Sequence, residues 1–207
     1  MYDEFRAVHR VLEATARKQS FAATDSVPLA DYAMIQGLVL GMNCRSVVDA
    51  RFECGYMTAA VGLALDRLPP AEGRCQYVAV DPDREAARFM FYFVKRRYPN
   101  LTRRSFVLVG DPIQMLRGVA AASADLGIVR GQTAAQLPVV VGEMERIVRP
   151  AGIICVYDSQ GSSSSPGDAA SVGQGRRVPP GIGRNTGAAL TIYHNGSSLE
   201  KIHGNRQ

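Results

Sequence analysis

Ser46-Val47-Val48-Asp49-Ala50-Arg51-Phe52-Glu53-Cys54-Gly55-Tyr56-Met57-Thr58 decides the fold of this 207-residue chain. Residues 46–50 form a short apolar run carrying an acid near its end, as a strand covered on both faces does. Gly55 marks a sharp turn, and from Tyr56 onward Met57, Ala60, Val61, Ala64, Leu65 and Leu68 recur at helical spacing. A second run, Tyr77-Val78-Ala79-Val80-Asp81, repeats the pattern and also ends in an acid.

The same alternation continues along the chain. Strands are expected at 46–50, 76–80, 105–109, 125–129 and 152–157. Helices are expected at 56–68, 83–97, 112–119 and 134–148, preceded by two more at 3–18 and 29–41. Nearly continuous apolar strands separated by helices imply an α/β fold: a doubly wound, mostly parallel sheet between helix layers. From Gly161 the texture turns to Gly and Ser, the composition of an open loop. Ala188 to His194, an Asn195-Gly196 turn and Leu199 to His203 then predict a C-terminal antiparallel hairpin. One domain over 1–207 is expected: a helical extension (1–43), a core (44–160), a Gly/Ser-rich loop (161–187) and the hairpin (188–207).

Composition narrows the classes. The start, Met1-Tyr2-Asp3-Glu4, has no secretory character, and no apolar run reaches the roughly 18 residues of a membrane span, so a cytoplasmic location is expected. Cys44, Cys54, Cys75 and Cys155 show no paired spacing and read as buried reduced thiols. The formal charge is +5, and of the 24 basic residues only Lys18, Lys95 and Lys201 are lysines. Arg96, Arg97, Arg103 and Arg104 form a local cluster that fits a solvated helix end better than a polyanion site. Nucleic acid is therefore not the favoured partner. A small-molecule acceptor or a protein partner is expected, with a homodimer open and no membrane.

Ligands of open α/β sheets bind at the carboxyl ends of the strands. Asp49, Asp81, Asp111, Arg130 and Asp158 all fall at or just past such ends. Asp81 could accept both hydroxyls of a ribose, or Asp81-Pro82-Asp83 could simply cap the next helix. Gly110-Asp111-Pro112 poses the same choice. Gly55 and Tyr56 place a helix N-terminus beside the same space, where an anionic group is favoured. Arg51 could fill that space, turn outward or bind an anion. His9, His194 and His203 lack metal-ligand spacing. Gly181 to Gly187 is glycine-rich but precedes a strand rather than a helix, which argues against a phosphate loop. No catalytic residue can be named.

Segments 46–58, 77–83, 107–111 and 125–158 resemble S-adenosylmethionine-dependent class I O-methyltransferases of the catechol type. They resemble still more closely a plant family of methyltransferase-like proteins of unknown function. The resemblance implies S-adenosylmethionine as cofactor, contacted by Asp49, Arg51, Gly55, Tyr56, Asp81, Gly110, Asp111 and Arg130. The family's first strand ends E-x-G-x-x-x-G-Y-S; this chain keeps Asp49, Gly55 and Tyr56 but has Arg51 for the first glycine. The family's metal aspartate after the fourth strand is Arg130 here, and its Asp-Asn after the fifth is Asp158-Ser159. No metal is therefore expected, and Arg130 is expected to pair with Asp158 across the strand ends. Two functions follow as alternatives: a metal-independent S-adenosylmethionine-dependent methyltransferase of unknown acceptor, or a catalytically silent protein of that fold that binds a ligand or a protein.

Overall fold

A computed structural model describes residues 2–21, 29–68, 76–133, 135–158 and 189–194. The elements run α1 (Tyr2–Lys18), α2 (Leu29–Gly41), β1 (Ser46–Asp49), α3 (Tyr56–Leu65), β2 (Gln76–Asp81), α4 (Arg84–Arg97), α5 (Pro99–Thr102), β3 (Ser105–Val109), α6 (Pro112–Arg117), β4 (Ala124–Val129), α7 (Leu137–Ile147), β5 (Val148–Asp158) and β6 (Ala189–His194). The strands form one sheet in the order β3-β2-β1-β4-β5-β6. The first five are parallel, as the uninterrupted apolar runs require. β6 pairs antiparallel with β5, with Ala189 opposite Asp158. The expected hairpin partner at Leu199 to His203 and the Gly/Ser-rich loop lie outside the described residues.

Two cores form, one on each face of the sheet. Phe5, Leu12, Tyr32, Ile35, Met57, Val61 and Met90 pack on one side, drawing α1 and α2 onto the same core as α3 and α4. Leu116, Val140, Val141, Met144 and Ile147 pack on the other, under α6 and α7. Chain order reverses between β1 and β4, so their carboxyl ends diverge around a crevice. The loops after these two strands are the ones that decide what the site can do.

β5 begins at Val148 rather than 152, because Val148 already pairs with Ala124 before the register shifts. Arg149, Pro150 and Ala151, the last at φ 66°, make the irregularity and interrupt the apolar signal in the sequence. Asp125 fastens the opposite end of the sheet. Its carboxylate accepts from the amides of Arg45 and Ser46 and pairs with Arg149 at 2.7 Å.

Candidate functional site

Asp49 ends β1 with no exposed surface, and both carboxylate oxygens are engaged. Oδ1 accepts from the Arg51 amide at 3.0 Å, and Oδ2 from the Tyr77 hydroxyl at 2.7 Å. Oδ2 also accepts Nη2 of Arg130 at 3.0 Å. Burial, then the neighbouring Asp49 charge, push the Tyr77 hydroxyl well above its ordinary pKa, so it stays a donor.

Arg130 follows β4 and is completely buried. Its Nη1 donates to Glu53 Oε2 at 2.5 Å, and Nη2 donates to the carbonyls of Arg51 at 2.5 Å and Phe52 at 3.5 Å. Burial alone would lower its pKa; Asp49 and Glu53 outweigh that and hold it well above the ordinary arginine value. The guanidinium turns toward β1 and its loop, and the expected pairing with Asp158 involves a side chain outside the described residues. β4 lies between β1 and β5, so both strand ends were within reach, and the Asp49–Glu53 side offers two carboxylates and two carbonyls.

Arg51 crosses the same crevice. Nη1 donates to the Gly131 carbonyl at 2.9 Å, and Nε stands 4.0 Å from Asp81 Oδ2. This side chain is therefore neither outward nor idle; it ties the loops after β1 and β4 together. Gly131, at φ 62°, keeps the approach close, since a Cβ there would lie 3.2 Å from Glu53 Oε1. Gln132 adds bonds from Nε2 to the carbonyls of Arg130 at 3.1 Å and Ala50 at 3.4 Å.

Asp81 ends β2 and is 2% exposed. Its Oδ2 accepts the Glu53 amide at 2.6 Å and its Oδ1 the Asp83 amide at 2.8 Å. Burial raises its pKa, with the two amides and then Arg51 acting against the rise. Capping of α4 falls to Asp83, whose side chain accepts from Ala86 N at 3.0 Å. Gly110, at φ 154°, donates its amide to the Asp81 carbonyl at 3.0 Å and so borders that acid. Asp111 faces solvent and caps α6 through Gln114 N at 2.9 Å, the capping alternative of its two readings.

Gly55 adopts φ 80°, and a Cβ there would meet the Phe52 ring at 3.3 Å. Its freedom serves the loop's own packing. Tyr56 opens α3 fully buried, stacked on His9 of α1 with ring centroids 4.5 Å apart. The structure thus brings together Asp49, Arg51, Arg130 and Asp81, sets Gly110 beside them, stacks Tyr56 on His9 and places Asp111 at the cap of α6. Sequence reasoning missed Glu53 and Tyr77. The available signal for Glu53 was its place between two charge-bearing strand ends; nothing marked Tyr77, which reads as one more strand aromatic. Among the described residues no three His, Cys, Asp or Glu side chains stand close enough to hold a metal ion.

The same architecture occurs in solved structures. An O-methyltransferase from Bacillus cereus, solved with S-adenosylhomocysteine, superposes with a TM-score of 0.62 at 17% identity over 74% of this chain and 66% of that one. TomG, a Streptomyces achromogenes O-methyltransferase of tomaymycin synthesis solved with S-adenosylmethionine, gives 0.61 at 15% identity over 76% and 70%. A methyltransferase from Geobacter sulfurreducens gives 0.61 at 16% identity over 90% and 88%. A Klebsiella pneumoniae structure assigned to the O-methyltransferases gives 0.61 at 18% identity, and this chain spans 65% of its length. No protein-family model matches the sequence, and none of the curated proteins does. On strand order and on these superpositions, the chain has the fold of the class I O-methyltransferases.

Proposed function

We propose that this chain is a methyltransferase-fold protein whose cofactor crevice is closed by its own side chains, and that it works by binding rather than by methyl transfer. One observation carries the reading: the fully buried Arg130 guanidinium on Asp49, Glu53 and two loop carbonyls. S-adenosylmethionine brings two positive centres, a sulfonium and an ammonium, and needs acceptors at the switch point. Here a cation of the chain already takes the acceptors. Asp49 Oδ2 and the Arg51 and Phe52 carbonyls, which could receive the ammonium, are already taken by Arg130. The residues present therefore do not fit the methionine end of this cofactor. A cation after β4 opposes a divalent metal in the same way, so the site is read as metal-independent.

Calorimetry and thermal shift with S-adenosylmethionine and S-adenosylhomocysteine test this directly. The expected outcome is no heat and no shift of melting temperature at millimolar ligand. A second reading, a metal-independent S-adenosylmethionine-dependent methyltransferase of unknown acceptor, is favoured by Asp81, which keeps a carboxylate at the end of β2 where a ribose would need one. Tight binding that Asp81→Ala abolishes, with methyl transfer unaffected by a chelator, would establish that reading and end the first.

A further inference from the structure

Away from the crevice, α1 and α4 enclose a groove of about 500 Å³. Val11, Ala14, Phe89 and Phe93 supply its apolar walls, Arg10 and Lys18 its charge, and no acidic side chain lines it. Phe89 is 39% exposed and braced edge-on by Phe21, with ring centroids 5.5 Å apart. Beside the groove, the solvent face of α4 carries Arg84, Arg88, Tyr92, Lys95 and Arg96 with one acid, Glu85, and Tyr92 is 60% exposed. Arg88, Tyr92 and Arg96 follow at four-residue steps and so share one stripe, a ring between two guanidiniums.

Helix stability accounts for only part of this pattern. Lys95 and Arg96 suit a helix C-terminus, but Arg84 stands in the first turn of α4, where the macrodipole disfavours cations and favours the acids Asp83 and Glu85 beside it. Among the described residues none of Arg10, Lys18, Arg84, Arg88, Lys95 and Arg96 forms an ion pair, while the bridges of Arg17, Arg67, Arg103, Arg117, Arg146 and Arg149 show what this surface does with a cation it neutralises. The face thus carries six cations against one exposed acid of α4, Glu85, interleaved with accessible rings.

We propose that this face, groove and stripe together, binds single-stranded nucleic acid. Unpaired cations would take the phosphates, and Tyr92 and the ring-walled groove would take bases, a combination that tolerates sequence and requires unstacked strands. A duplex hides its base faces, and an anionic bilayer is met by protruding side chains, whereas Phe89 and Phe93 line a concavity. The proposal is independent of whether the crevice at the strand ends holds a cofactor.

Fluorescence anisotropy of the full chain with labelled 12-nucleotide oligouridylate at 50 mM salt tests it. Binding is expected to weaken with salt at a slope of about −0.7 for each phosphate neutralised. Arg88→Ala with Arg96→Ala should weaken it at least tenfold and flatten the slope by about 1.4 units. Tyr92→Ala should weaken it about five- to tenfold, because base stacking is lost. All three side chains are exposed, so circular dichroism and melting temperature should be unchanged. The proposal is overturned by absence of binding. It is equally overturned by binding that these variants leave intact, by equal affinity for a duplex of the same length, or by binding to phosphatidylserine vesicles in place of the oligonucleotide.

Discussion

Arg130 carries a formal charge, has no exposed surface, and reaches two carboxylates. A buried ion pair of this kind adds little net stability over an apolar replacement of both partners, yet removing one partner leaves the other stranded. Arg130→Met should therefore destabilise the chain by about 3–5 kcal/mol, read as a lower urea midpoint. Asp49→Asn combined with Arg130→Met should recover part of that loss, which a purely steric role for Arg130 would not allow. At this scale the sequence was readable in part. An arginine directly after the apolar run Leu126 to Val129 stood out, since charge there has no reason to be buried without a partner. The choice of partner was not readable, because it depends on how the Arg51–Glu53 loop folds back, with Glu53 at φ 51°.

Among the elements, α3 is buried on every face, and its middle lies close against a neighbour. A Cβ on Gly62 would sit 2.5 Å from the Leu101 carbonyl oxygen of α5, a backbone atom that cannot swing away. Gly62→Ala should cost about 1–3 kcal/mol despite its better helix propensity, as a lower melting temperature with unchanged far-ultraviolet dichroism would show. Helix α5 itself escaped the reading of the sequence: four residues from Pro99 to Thr102 are too few for a period to show. The longer elements were recovered because burial on both sheet faces writes itself as unbroken apolar runs. β6 was recognisable as a strand, Leu190 to Tyr193 being β-prone, while its pairing with β5 is a long-range contact that no local signal encodes.

At the scale of the molecule, burial silences two of the thiols. Cys44 and Cys155 are both fully buried, and that desolvation, reinforced for Cys44 by Asp125 and for Cys155 by Cys44, pushes each up to about 12. In the unfolded chain a thiol ionises near 8.5. The native state then holds more protons than the unfolded state between those values, so stability is full below about pH 8.5 and falls as pH rises toward 12. Each thiol should contribute about 1.4 kcal/mol of loss per pH unit in that window, visible as a falling urea midpoint. At pH 8 a thiol-specific reagent should leave Cys44 and Cys155 unmodified until denaturant is added. The closed crevice has a molecular-scale consequence of another kind. A protein stabilised by a dissociable ligand gains RT ln(1 + [L]/Kd), so its folded fraction follows supply of that ligand. Arg130 is tethered to the same backbone as the carboxylates it satisfies, so its local concentration never varies. On the proposed binding-only reading, the melting temperature of this chain should not change with the methyl-donor concentration.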